Sequence, residues 1–312
     1  MTDLVLKALT ELLPCEVRRG SLDRGGRMLR WIEAGAGYPT VVFEAALGEP
    51  GSLAYTAVLA AVAARTRLIA YDRAGLGASD PVAELTLEVQ TGDLAAVAEE
   101  AGEGPCVLAG HSWGGLLVLI AAAQRPDLVA GLVLIDPADE IYWAGLPAEI
   151  HQESSDQAAL FMRLHDSGEL GEKIRDSFLS YTESLTAGET LRNGLLDAYV
   201  SCYAKRSQVA MLQGETDLFM NSISLINQIR TACPLRDVPA VILSATTGTT
   251  PEIRAKWTGV HAALAASLPR AKHIVLPDTH HAINEMRPEA ITSAVFEVLG
   301  ELQPRQADEL SR

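Results

Sequence analysis

Short apolar runs alternate with longer stretches of helical periodicity along most of the chain, and this alternation predicts an α/β fold. The chain opens with a short amphipathic stretch and a predicted β-hairpin at residues 15–22 and 28–34. Further apolar runs that predict strands lie at residues 40–43, 67–71, 106–109, 131–135, 240–244 and 273–276. Because helical stretches separate these runs, we expect a mostly parallel sheet with right-handed crossovers.

The pattern changes between residues 138 and 235, where no core-like strand is visible. Amphipathic stretches in this region predict helices at residues 150–164, 172–185, 190–205 and 218–229. Strand–helix alternation then resumes and ends with a predicted helix at residues 288–302. We therefore expect one α/β core, residues 1–137 and 236–312, interrupted by a helical insertion, residues 138–235.

Composition limits the classes of function. The 312 residues are 48% hydrophobic and 21% charged, which suits a soluble globular protein with a large core. The net charge of −15 and the pI near 4.9 argue against a nucleic-acid partner or binding to an anionic membrane. The N-terminus lacks the pattern of a signal peptide, and no apolar run is long enough to span a bilayer. We therefore expect a cytoplasmic protein.

The sequence predicts neither a metal site nor a cofactor. Its four cysteines, Cys15, Cys106, Cys202 and Cys233, lie far apart and lack metal-ligand spacing. No phosphate-binding glycine loop or dinucleotide fingerprint is visible. The chemistry must therefore come from the side chains of the protein itself.

The segment Gly110-His111-Ser112-Trp113-Gly114 joins a predicted strand to a predicted helix. Gly-x-Ser-x-Gly in that setting is the nucleophile elbow, a turn so sharp that the residues two before and two after the serine must be small. The turn exposes the serine hydroxyl above the sheet at a helix N-terminus, where the helix dipole favours developing negative charge. These features predict Ser112 as a catalytic nucleophile.

Two further stretches make a family resemblance specific. One is Asp72-Arg73-Ala74-Gly75-Leu76-Gly77-Ala78-Ser79-Asp80 after the fourth predicted strand, and the other is the histidine-containing stretch 277–284, followed by Pro288-Glu289. With these and the elbow, the chain resembles the serine hydrolases of the α/β-hydrolase fold over residues 17–299. The resemblance implies a mostly parallel eight-stranded sheet flanked by helices, with a helical cap, residues 138–235, inserted after strand 6.

The resemblance also assigns the base that a serine nucleophile needs. The family places a histidine in the loop after the last strand, at a usual distance before the Pro-Glu that opens the last helix. In this chain that distance selects His281. The neighbouring His280 stands where the family usually has glycine, and it remains an alternative base.

The acid that orients the histidine has more than one candidate. The family most often places it after the seventh strand, but residues 244–251 contain no carboxylate in this chain. A minority of members carry the acid at the end of the sixth strand, where this chain has Asp136-Pro137. Asp136 is therefore the predicted acid, while Glu252, Asp278 and a site without a full triad stay open.

Two backbone N–H groups should stabilise the oxyanion that forms during the reaction. The residue after the nucleophile, Trp113, supplies one, and the loop after the third strand supplies the other. The family usually has His-Gly in that loop, whereas this chain has Ala45-Ala46, and by position Leu47 supplies the second N–H. The resemblance further implies that residues 72–80 brace this loop in a structural role.

These residues predict a cofactor-independent serine hydrolase that cleaves a small-molecule carboxylic ester or lactone through an acyl-enzyme. One alternative on the same fold is a proline-releasing aminopeptidase, which would need carboxylates such as Glu149, Glu153 and Asp156 to bind a substrate ammonium group. A carbon–carbon bond hydrolase is another. A non-catalytic ligand-binding protein of this fold also stays open.

Overall fold

The computed structural model describes residues 3–302 apart from residues 103, 187 and 236, and these residues contain a sheet of eight strands. In chain order the strands are β1 (Val17–Asp23), β2 (Met28–Ala34), β3 (Val41–Glu44), β4 (Leu68–Asp72), β5 (Cys106–His111), β6 (Val129–Ile135), β7 (Ala240–Ala245) and β8 (Ala271–Leu276). Their order across the sheet is 1-2-4-3-5-6-7-8. β2 runs antiparallel to β1 and β4, and the remaining neighbours are parallel. The predicted fold class is confirmed.

Helices cover both faces of this sheet, and β3, β4 and β5 are therefore buried at every position. The covering helices are α1 (Leu4–Leu12), α2 (Gly51–Ala54), α3 (Thr56–Ala63), α4 (Leu87–Glu100), α5 (Trp113–Gln124), α11 (Pro251–Ser267), α12 (Ile283–Met286) and α13 (Pro288–Leu302). Alternate residues of a strand face opposite sides. Val107 thus packs in the hydrophobic cluster beneath α3 and α13, while Leu108 packs in the cluster beneath α4 and α5.

Between β6 and β7 the described chain is helical, as the sequence predicts. The insertion, residues 138–235, carries α6 (Glu140–Ala144), α7 (Ala148–Ser167), α8 (Leu170–Leu185), α9 (Glu189–Tyr203) and α10 (Arg206–Ala232). α10 begins well before the predicted start at residue 218, because two of its early polar residues, Gln208 and Glu215, are buried and give the helix a second contact with the core. The division into a core and a separate cap domain stays a prediction. Residues 1, 2, 103, 236 and 303–312 of the predicted core, and residue 187 of the predicted cap, lie outside the described residues.

The insertion packs against the core through several of its helices. α10 contacts α5, the helix that follows the elbow, and α9 packs against the N-terminal helix α1. None of the described helices is both long enough and apolar enough to cross a bilayer.

Candidate active site

Ser112 occupies the single-residue link between β5 and α5. Its backbone has φ 52° and ψ −118°, a left-handed conformation that is strained for a residue with a side chain. The link is held by a hydrogen bond from Ser112 N to Ile135 O of β6 (3.0 Å). A Cβ atom at Gly114 would lie 2.3 Å from Ala45 O, and one at Gly110 would lie 2.5 Å from Gly114 O. The glycines of the elbow are thus required by close backbone packing.

The structure brings three predicted site residues from three separate loops into one hydrogen-bonded chain. His281 Nε2 lies 2.9 Å from Ser112 Oγ, and His281 Nδ1 lies 2.6 Å from Asp136 Oδ2. A carboxylate can only accept, so Nδ1 carries the proton and Nε2 is left to accept from the serine hydroxyl. Asp136 is fully buried, and its Oδ1 accepts a hydrogen bond from Ala245 N (3.0 Å).

The alternative site residues lie elsewhere. His280 is exposed, and its Nδ1 accepts a hydrogen bond from Ala282 N (3.2 Å). Glu252, in the first turn of α11, and Asp278, in the loop after β8, are also exposed. Within the described part of the chain, none of the three hydrogen-bonds to Ser112 or to the imidazole of His281.

Arg254 is a component of the site that the sequence analysis missed. Its Nη1 donates to Asp136 Oδ2 (2.7 Å), the same oxygen that His281 contacts, and only 4% of its side chain is exposed. Its guanidinium lies over the Trp257 ring, 4.6 Å from the centroid. Burial raises the pKa of Asp136. The His281 hydrogen bond, the charge that His281 carries when protonated and the charge of Arg254 outweigh burial and hold that pKa well below its usual range. Asp136 is therefore ionised.

Two buried histidines support this arrangement without carrying charge. His111 Nε2 donates to the backbone carbonyl of His281 (2.8 Å), and burial, together with the charge of His281, lowers the pKa of His111 to about 3. His261 Nε2 donates to Pro137 O (2.8 Å), next to Asp136, while its Nδ1 pairs with the hydroxyl of Ser244 (2.7 Å). Burial lowers the pKa of His261 as well. Both rings thus position their neighbours as neutral groups.

The β3–α2 loop, residues 45–50, lies beside Ser112 and is held by buried Arg73. Arg73 donates to the carbonyls of Ala45 and Ala46 (2.7 Å each) and to Glu44 Oε1 (2.6 Å). In a planar trans peptide the C=O and N–H groups point in opposite directions, so the Leu47 N–H points away from Arg73. Among the described residues, the N–H groups of Leu47 and Trp113 have no acceptor. The two predicted oxyanion donors are thus unengaged.

A cavity of about 570 Å³ lies over Ser112 and His281, between the core and the insertion. Aromatic side chains form much of its wall: Tyr142, Trp143, Phe161, Tyr203, Phe219 and Trp257. Glu49 also lines it, and its buried Oε2 has no hydrogen-bond partner in the described structure. Burial and the charge of Glu285 raise the pKa of Glu49 to about 7. The described residues contain no cluster of side chains that could hold a metal ion.

Comparison with known families decides the membership of this chain. The sequence model of the Alpha/beta hydrolase family matches residues 35–294, which include the elbow, Asp136 and His281. The chain belongs to the alpha/beta hydrolase family. Proteins that match parts of this chain include a lipase.

Individual relatives of this alpha/beta hydrolase match it less completely. The lipase LipV of Mycobacterium tuberculosis is 45% identical over 71 residues, which cover 23% of this chain and 27% of LipV. The matched stretch therefore spans about a quarter of that relative.

Solved structures resemble this alpha/beta hydrolase over most of its length. An esterase from Thermogutta terrifontis superposes with a TM-score of 0.63 at 20% identity, over 92% of this chain and 100% of the esterase chain. The epoxide hydrolase CorEH superposes with a TM-score of 0.63 at 16% identity, over 92% and 100% of the two chains. Since an esterase and an epoxide hydrolase share the fold, the reaction must be inferred from the site.

Proposed function

We propose that this protein is a serine hydrolase that cleaves a carboxylic ester or lactone through an acyl-enzyme. The observation that carries the proposal is the hydrogen-bonded chain from Ser112 Oγ through His281 to the buried carboxylate of Asp136. An epoxide hydrolase reaction is less compatible with the site, since that chemistry calls for an aspartate at the elbow position, which is Ser112 here.

The geometry supports acylation as the first half-reaction. Ser112 Oγ attacks the carbonyl carbon while His281 Nε2 takes the hydroxyl proton, and Asp136 stabilises the resulting imidazolium through Nδ1. The carbonyl oxygen becomes an oxyanion that the N–H groups of Leu47 and Trp113 stabilise. Collapse of the intermediate breaks the bond to the alcohol oxygen, which receives the proton from His281.

Deacylation repeats these roles with water as the nucleophile. His281 Nε2 takes a proton from a water molecule, whose oxygen attacks the acyl carbon, and the same two N–H groups stabilise the second oxyanion. The ester bond to Ser112 then breaks and Ser112 Oγ recovers its proton from His281. The products are a carboxylic acid and an alcohol, or a hydroxy acid from a lactone.

The cavity favours a substrate with an apolar acyl or alcohol group, because aromatic side chains form much of its wall. An aminopeptidase would need carboxylates that bind the substrate ammonium group. Glu149, Glu153 and Asp156, the candidates for that role, are exposed on α7 and do not line the cavity. The carboxylates that the sequence offered for that role therefore do not reach the cavity.

The test is hydrolysis of a chain-length series of p-nitrophenyl esters by the wild type, Ser112→Ala and a control, Ser222→Ala, which removes the hydroxyl of another buried serine on α10. We expect the wild type and the control to turn over and Ser112→Ala to lose about 10⁶-fold in kcat. A phosphonate probe should label the wild type at Ser112 alone. A wild type that neither hydrolyses any ester nor reacts with the probe contradicts the proposal.

A further inference from the structure

The insertion hydrogen-bonds to one residue of the β3–α2 loop, Gly48, at both its N–H and its C=O. Gly48 N donates to Glu215 Oε2 (2.7 Å), and Gly48 O accepts from Gln208 Nε2 (2.5 Å). Glu215 and Gln208 both lie on α10. Gly48 has φ 68°, and a Cβ atom there would lie 2.5 Å from a methyl carbon of Leu212 on the same helix. The loop and α10 are thus packed in direct contact at Gly48.

Glu215 is fully buried, and both of its oxygens are saturated with donors. Oε1 accepts from Arg73 Nε and Gln90 Nε2 (2.6 Å each), while Oε2 accepts from Arg73 Nη2 (2.8 Å) as well as from Gly48 N. Four donors fix the carboxylate in position and orientation. A carboxylate from the insertion therefore completes an ion pair whose arginine belongs to the core.

These contacts determine how the two peptides that flank Leu47 are oriented. Arg73 binds the carbonyl of Ala46, which turns the Leu47 N–H away from the ion pair. Glu215 binds the N–H of Gly48, which turns that next N–H towards the ion pair. Leu47 is held on both sides by Arg73 and Glu215, and its own N–H is left without an acceptor among the described residues.

Glu215 also connects to the second predicted oxyanion donor. Gln90 donates to Glu215 with Nε2 and accepts with Oε1 from the indole N–H of Trp113 (3.0 Å). One carboxylate thus lies one hydrogen bond from the peptide next to Leu47 and two hydrogen bonds from the side chain of Trp113. Both residues that supply the oxyanion N–H groups are tied to it.

We infer that Glu215 is a positioning residue for the oxyanion hole, so that the insertion orients the Leu47 amide and anchors the Trp113 side chain as well as covering the substrate. The inference rests on the proposed serine-hydrolase function. It assigns to α10 a role in kcat, because the oxyanion N–H groups act on the transition state more than on the bound substrate.

The test compares Glu215→Gln with Glu140→Gln. In Glu215→Gln an amide nitrogen must face donors at one of the two oxygen positions, so at least two hydrogen bonds are lost. Glu140 is the matched control because it is a buried glutamate of the insertion that pairs with an arginine of α10, Arg230, without contacting the β3–α2 loop. Gln208→Met is a second variant that releases Gly48 O, and Gly77 N with it, but leaves the ion pair intact.

We expect Glu215→Gln to lower kcat for a p-nitrophenyl ester about 100-fold with KM within about twofold of the wild type, and Gln208→Met to lower it about tenfold. Glu140→Gln should keep the wild-type kcat even if its melting temperature falls. A boronic acid, which forms a tetrahedral adduct with Ser112, should lose affinity in parallel with kcat. Hydrogen exchange of the peptide that contains Gly48 should accelerate in Glu215→Gln only.

Equal losses of kcat in Glu215→Gln and Glu140→Gln would overturn the inference, since they indicate general damage to the insertion. A folded Glu215→Gln with unchanged kcat overturns it as well. If Glu215→Gln does not fold, Gln208→Met takes its place in the test: a lower kcat with little change in KM supports the inference, and an unchanged kcat overturns it. A wild type without turnover and without phosphonate labelling rejects the proposed function, and this inference with it.

Discussion

Two buried arginines support the surroundings of Ser112 and differ in the groups that they bind. Arg73, on the oxyanion side, donates to two carboxylates, Glu44 and Glu215, and to two backbone carbonyls. Arg254, on the acid–base side, donates to Asp136 alone among the described carboxylates, and its buried Nε has no acceptor there. Arg73 therefore fixes the backbone of the β3–α2 loop. Arg254 instead places a positive charge next to Asp136, the carboxylate that also hydrogen-bonds to His281.

The contributions of the two sides to stability also change with pH in opposite directions. The pKa of Asp136 lies well below its usual range, so its ionised form stabilises the fold at neutral pH, and this stabilisation is lost as the pH falls towards the folded-state pKa. The pKa of Glu49, on the oxyanion side, is raised to about 7. The folded state then binds more protons than the unfolded state, and stability falls as the pH rises from the ordinary glutamate range to about 7.

The largest expected effect on the acid–base side comes from Asp136→Asn. The amide keeps the shape of the carboxylate but neither stabilises an imidazolium nor holds His281 in the productive tautomer, so kcat should fall about 10⁴-fold. Ester hydrolysis by protein shown to be folded by circular dichroism measures the loss. Asp278→Asn is the control, because the exposed Asp278 should leave kcat unchanged, and a near-normal rate for Asp136→Asn would place the acid elsewhere.

Replacing each arginine by methionine should separate the two sides. Arg73→Met leaves two buried carboxylates without their cation and should lower the unfolding free energy by about 3–5 kcal/mol. In a plot of kcat/KM against pH, the acidic limb should stay at the same pH. Arg254→Met removes a positive charge next to His281, so the imidazolium forms more easily and the acidic limb should move to higher pH by about one unit. His111 and His261 stay neutral and do not offset this shift.

Urea unfolding and pH–rate profiles of both variants measure these effects. The comparison fails if Arg73→Met moves the acidic limb, or if Arg254→Met lowers the rate equally at all pH values. The second result would make Arg254 a purely structural partner of Asp136.

The smallest expected effect is a gain in stability from Glu49→Gln. The amide removes a carboxylate whose ionisation is opposed by burial, so the unfolding free energy at pH 8 should rise by about 1–2 kcal/mol, with little change at pH 5. Urea unfolding at the two pH values tests this. Glu252→Gln, at an exposed position on α11, is the control and should change stability equally little at both. A gain at pH 5 as large as that at pH 8 would contradict the pH argument.

The fold could be predicted from the sequence because strands buried on both faces read as continuous apolar runs, as Cys106 to Ala109 does. The three residues of the hydrogen-bonded chain could be selected because each stands in a local motif: Ser112 in the elbow, Asp136 at a strand end, and His281 before Pro288-Glu289. Their catalytic roles stay predictions. The contact between Asp136 and His281 depends on the order of the strands in the assembled sheet, which local motifs do not show.

The supporting residues could not be predicted, for a physical reason. Gln208, Glu215 and Arg254 are polar residues on helices, and a hydrophobic pattern assigns such positions to solvent. Their burial depends on partners more than a hundred residues away, such as Arg73 for Glu215 and Asp136 for Arg254. The same reason explains why the predicted helix at residues 218–229 missed the first part of α10.

The ion pair between Glu215 and Arg73 limits how this protein can be re-engineered or can diverge in sequence. An insertion taken from another family member and placed between β6 and β7 would leave Arg73 with a single carboxylate and Gly48 N without an acceptor unless it supplied a glutamate in the same place. The insertion, which lines the cavity over Ser112, therefore cannot be exchanged independently of the core. In the lineage of this protein, positions 208 and 215 of the insertion should change together with positions 48 and 73 of the core.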